Sequence, residues 1–194
     1  MKGQPFRQGK FSELMVSELN GQWYEHAINK RLFTAISLGR ATSLAAAASI
    51  GLQLWNSSPL GSGGVNLVLL EVGGMIIVTS ATTTAIVLAK GIGQTIAPTS
   101  QTAADFVNNN YLTGPSPQGL ATALGTFVNV PTAMKLLMHN TAAIAATGED
   151  TGFRVDLKGG IIVPPQCFVA IAAVGAAVAA AGMNMDLTWA ELPV

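Results

Sequence analysis

Apolar and polar positions alternate residue by residue over several short stretches of this chain, the period of a β-strand whose two faces meet different surroundings. Phe153, Val155 and Leu157 alternate with Arg154, Asp156 and Lys158, and Met185, Leu187 and Trp189 alternate with Asp186, Thr188 and Ala190. Each run predicts a strand with one wet face. From Val65 to Val72 the apolar residues are almost continuous and rich in Val and Leu, which predicts a strand covered on both faces. Leu52, Leu54 and Trp55 lead into the turn-rich NSSPLGSGG of Asn56 to Gly64. Gly159 and Gly160 are expected to turn the chain into Ile161, Ile162 and Val163, where Pro164 and Pro165 stop the pairing. Further strands are expected at Lys135 to His139 and at Phe168 to Val174. Short strands separated by clusters of Gly, Pro, Asn and Ser predict an all-β fold, an antiparallel sandwich or barrel.

Two regions depart from this pattern. Between Pro98 and Pro131, the runs Asn108 to Asn110 and Gly114 to Gly119 predict a long irregular excursion with room for one short helix. Excursions of that size in a compact domain are usually functional or interfacial. Near the start, Asn20 is placed to cap a short helix whose apolar members Trp23, Ala27 and Leu32 recur at helical spacing. Glu25, His26, Lys30 and Arg31 then face outward. Before that helix, Pro5 to Leu19 reads as an extended arm offering Phe6, Phe11, Leu14 and Val16 either to a neighbour or to its own sandwich. The expected division is an N-terminal arm and short helix, residues 1–40, followed by a body, residues 41–194.

Charge sharpens that division. Nine of the twenty charged residues lie in the first forty positions, whereas Ala41 to Leu70 and Gly159 to Met185 carry none. Hydrophobic residues make up 49% of the chain and charged residues only 10%, against about a quarter in an ordinary soluble domain. Water tolerates such a surface poorly, so the body is expected to enter a membrane or to cover its faces with protein. Two stretches, Val72 to Ala89 and Cys167 to Met183, approach the roughly 20 residues of a membrane-crossing helix. The first holds Gly73, Gly74 and a Thr-rich centre, and the second is mostly Ala and Gly behind Pro164 and Pro165. Neither gains much from lipid, and protein cover is the favoured reading. The net charge of zero gives no electrostatic case for nucleic acid, and weak self-repulsion favours association.

Candidate chemistry is sparse. His26 and His139 are the two histidines, one in the charged extension and one at a strand end. No HExxH, paired CxxC, GxSxG or GxxxxGK[ST] pattern occurs. Gly91-Ile92-Gly93-Gln94 reads as a turn rather than a dinucleotide fingerprint, and Glu149-Asp150 as a solvated turn rather than a calcium site. Asp186 and Glu191 do not argue for glycoside chemistry, which needs two carboxylates across one bond. Trp23, Trp55 and Trp189 are scattered, as core or interface anchors rather than sugar platforms. Cys167 stands alone and reads as a small buried hydrophobe. Asn56-Ser57-Ser58 matches a glycosylation sequon, but no secretory signal is expected ahead of it, and the match reads as chance. No catalytic, cofactor-binding or metal-ligating residue is assigned, and the chain is not expected to be an enzyme.

Three stretches together resemble a family. They are SELNGQWYEHAINKRLFTA (Ser17 to Ala35), LQLWNSSPLGSGGVNLVLL (Leu52 to Leu70), and GGIIVPPQCFVAIAA (Gly159 to Ala173) with LTWAEL (Leu187 to Leu192). They look like small structural proteins of tailed bacteriophages whose jelly-roll-like bodies decorate or cement the capsid, often as trimers. The resemblance covers most of the chain outside the excursion. It implies a virion protein on the phage capsid surface, partnered by itself as a homotrimer and by the major capsid protein, with no nucleic acid, membrane or cofactor. The interface candidates are Phe6, Phe11, Leu14, Val16, Trp23 and Tyr24. The alternative expectation is a receptor- or carbohydrate-binding jelly roll of a fibre or tail.

Overall fold

The computed structural model of the chain describes residues 23–42, 50–61, 63–77, 84–92, 102–103, 106–109, 114–125, 131–140, 151–175 and 178–194. Their strands form an antiparallel sandwich of two packed sheets. The first sheet runs β6-β1-β11-β3-β9 and the second β5-β7-β2-β10-β4-β8. Their ranges are β1 Leu32–Thr42, β2 Ile50–Asn56, β3 Val65–Ile76, β4 Thr84–Ile92, β5 Thr102–Ala103, β6 Phe106–Asn109, β7 Gly119–Gly125, β8 Thr132–Asn140, β9 Thr151–Val163, β10 Cys167–Gly175 and β11 Val178–Pro193. Without β5, β6 and β7, the remaining strands fall into the orders β1-β11-β3-β9 and β2-β10-β4-β8. That is the two-Greek-key order of a jelly roll.

Alternation decides which residues fill the core. Phe33, Leu54, Leu67, Leu69, Ile86, Leu88, Val169, Ile171, Leu187 and Trp189 all point between the sheets and are buried. The Phe33 and Trp189 rings stack at 5.7 Å across paired strands. The outer face of β11 is less wet than its alternation predicts, because Thr188 and Ala190 are also buried. Their cover includes a helix, α1 (Tyr24–Ile28), which follows Trp23. Trp23 and Ala27 pack on Leu32, Leu70 and Ala190 outside the first sheet. Leu32, expected on the helix, instead opens β1. Lys30, with φ of 58°, turns the chain between them. Asn20 lies outside the described residues, and Trp23 occupies the N-cap position with no side-chain cap.

Other expectations are corrected by pairing. The glycines at 159 and 160 do not end a strand: Leu69 pairs with Ile161 and Glu71 with Asp156, so the chain bulges there within β9. Lys158 and Gly159 take the left-handed backbone of that bulge, with φ of 51° and 72°. Gly91 lies within β4 rather than in a turn, opposite Phe168. A Cβ at position 91 would collide with the Phe168 ring, which covers the glycine's backbone. The two stretches weighed as membrane spans contribute to β3, β4, β10 and β11, and among the described residues no helix is long and apolar enough to cross a membrane.

The excursion is built of strands where described. β7 extends the second sheet beyond β2, with β5 outside it, and β6 extends the first sheet beyond β1. It therefore widens the β1/β2 flank, which ends in the short strands β6 and β5. β1 itself runs across residue 40, so the division expected there falls within a strand of the sandwich.

Candidate functional site

Side chains with chemistry gather on the outer face of the first sheet. Registration places Thr34, Thr188, Glu71 and Asp156 in one cross-strand row, and Ile36, Asp186, Gly73 and Arg154 in the next. Residues in such rows share a face and sit within contact range. All of these but Asp156, together with Trp23 and Asn184, line an open groove of about 790 Å³.

Each wall has a local cause. Gly73 sets the depth: a Cβ there would collide with the Asp186 carboxyl, which lies across the glycine. Burial pushes the Asp186 carboxyl above its ordinary pKa of 3.8, against the opposing pull of the Arg154 guanidinium. Arg154 closes an ion pair through Nε on Glu71 Oε1. The arginine is 76% exposed and the glutamate 12%, so the pair fixes the glutamate's position more than it stabilises the fold. The Thr34 and Thr188 hydroxyls share a hydrogen bond of 3.2 Å. At one end the Gly39 N–H donates to Asn184 Oδ1 at 2.8 Å, fixing that side chain. Half-buried Trp23, anchored on Leu32, Leu70 and Ala190, supplies the aromatic wall.

The two carboxylates singled out near the C-terminus part company. Asp186 faces the groove, whereas Glu191 is buried and accepts from the N–H groups of Gln118 and Gly119, both at 2.9 Å, and from Trp189 Nε1 at 3.3 Å. Glu191 is therefore a clamp on the start of β7. His139 is exposed on β8 and His26 half-buried on α1. Cys167 is half-buried against the core. Among the described residues no cluster of three His, Cys, Asp or Glu side chains is placed to hold a metal.

Of the interface candidates, Tyr24 is 48% exposed and Trp23 lines the groove. Phe6, Phe11, Leu14 and Val16, like Glu149 and Asp150, lie outside the described residues. Sequence reasoning missed Glu71, Arg154, Thr34 and Thr188 as groove residues. The available signal was Glu71 two positions before the Gly73-Gly74 pair inside an otherwise bulky strand.

A second surface lies at the flank opposite the excursion, where β8 and β9 are the outermost strands of their sheets. It exposes Met134 (38%), Leu136 (58%) and Ile162 (58%). Met134 and Ile162 also border an apolar recess of about 330 Å³ with Phe168 and Pro164. No family model matches the chain, and neither the curated proteins nor the solved structures give a match.

Proposed function

We propose that this protein is a self-associating structural protein of a phage particle, a cement or decoration protein held on the head shell. The observation that carries this reading is the β8/β9 flank. Soluble monomers protect the outer strands of a sheet with charge, proline or a covering segment, because an unprotected edge recruits another chain. Here one flank ends in the short strands β5 and β6, while the other ends in the long β8 and β9 and presents Met134, Leu136 and Ile162 beside Lys135. The uncharged stretches of the sequence support the same reading, since neighbours in an assembly relieve water of such surfaces. The jelly-roll order is shared with viral capsid domains and also with lectins, so it supports the reading only by analogy.

In this reading copies meet through the β8/β9 flank as a trimer, and the N-terminal residues Phe6, Phe11, Leu14 and Val16 reach the major capsid protein. Light scattering on the eluting protein tests the first half. The expected mass is that of a small closed oligomer, reduced to a monomer with an unchanged circular dichroism spectrum in the Leu136→Glu, Ile162→Lys double variant. A wild-type chain that stays monomeric at micromolar concentration would sink the proposal. The alternative, a receptor- or carbohydrate-binding module of a fibre or tail, is favoured by one observation, the groove over Gly73.

A further inference from the structure

We infer that the groove on the outer face of the first sheet binds a neutral saccharide, with Asp186, Thr34 and Arg154 as its polar contacts and Trp23 as its stacking wall. This gives a ligand class to the groove that favours the alternative reading, and it holds wherever on a particle the protein sits.

The groove's charge narrows the ligand first. Arg154 is already engaged by Glu71, and the Asp186 carboxyl leaves a negative remainder. Phosphate, sulfate and acidic sugars are repelled by that remainder. A purely apolar ligand would strip the Asp186 carboxyl of water and offer it no hydrogen bond in return, at a cost. What fits is a molecule carrying many neutral groups that both donate and accept. A carboxylate accepts two hydroxyl donors, a threonine hydroxyl turns either way, and an exposed guanidinium keeps further N–H donors beyond the one spent on Glu71. An indole beside these groups takes the apolar face of a pyranose ring. The Gly73 position provides the room, since any larger residue there would displace the Asp186 carboxyl.

Tryptophan emission offers a readout. Trp189 is fully buried in the core, and Trp55 packs at the other sheet against Phe168, so a ligand in the groove meets Trp23. The full-length protein is titrated with maltohexaose, cellohexaose, xylohexaose and chitohexaose, then with polygalacturonate, and placed on a printed array of neutral glycans. The expected result is a saturable emission change with at least one neutral probe, absent in Trp23→Phe. Asp186→Asn should weaken binding about tenfold, the effect of losing one hydrogen bond to a charged group, and Thr34→Val should weaken it by a smaller factor. Melting curves confirm that each variant is folded. Silence across all neutral probes and the array overturns the inference, as does stronger binding of polygalacturonate, or affinity unchanged in both folded variants. A silent groove in a protein that still forms its oligomer removes this inference and leaves the structural role untouched.

Discussion

Asn56 shows how a single side chain joins distant strands. It is fully buried at the end of β2, where its amide donates to the carbonyls of Val65 and Val163 at 2.7 and 2.8 Å and its Oδ1 accepts from the Ser58 hydroxyl at 2.6 Å. Three strands are tied at one point, and a sugar cannot be attached there in the folded chain. Asp186 is the opposite case, a half-buried carboxyl held at a cost. Its pKa is higher in the folded than in the unfolded chain because burial outweighs the attraction of Arg154. Between those two values the folded state binds more protons, so this group's contribution to stability falls as pH rises through the window. Asp186→Asn is therefore expected to melt above the wild type at pH 7, with the gap closing as pH falls towards 3.8. A variant melting below the wild type at pH 7 would mean that the pull of Arg154 dominates after all.

At the scale of elements, β7 is held by a side chain from the last strand. Glu191 satisfies two N–H groups at the start of β7, and hydrogen bonds to charged groups each contribute about 1.5–3 kcal/mol. Glu191→Ala is expected to cost about 3 kcal/mol or more in denaturant titrations, with amide exchange accelerated chiefly over residues 118–125. Uniform acceleration across both sheets would instead mark Glu191 as a core residue. The same comparison explains what was legible in the sequence. β9 and β11 were readable because a half-buried strand writes its period into its own residues, and β3, β8 and β10 because their apolar runs are short and set off by turn-forming residues. The excursion strands were not: β6 (Phe106–Asn109) includes two Asn residues and is ordered by pairing with β1, a cause lying more than sixty positions away. The groove was hidden for a similar reason. Glu71, Arg154 and Asp186 converge only once β3, β9 and β11 are in register, and no local spacing encodes that.

At the scale of the whole molecule, the sandwich is asymmetric in its flanks. One side ends in the short strands β5 and β6, whereas the other ends in the long β8 and β9 with exposed Met134, Leu136 and Ile162. Association that favours the folded chain makes its melting temperature depend on concentration. The wild-type midpoint is expected to rise with protein concentration, and the midpoint of the Leu136→Glu, Ile162→Lys variant to stay constant; parallel behaviour of the two would show that this flank is not the contact. The short edge strands β5 and β6 also limit growth. A sandwich with two sticky edges has a valence of two for strand addition and propagates into a fibre. With contacts confined to the β8/β9 flank, the proposed trimer meets every contact within one ring, each copy touching two others, and its product is a particle of fixed size.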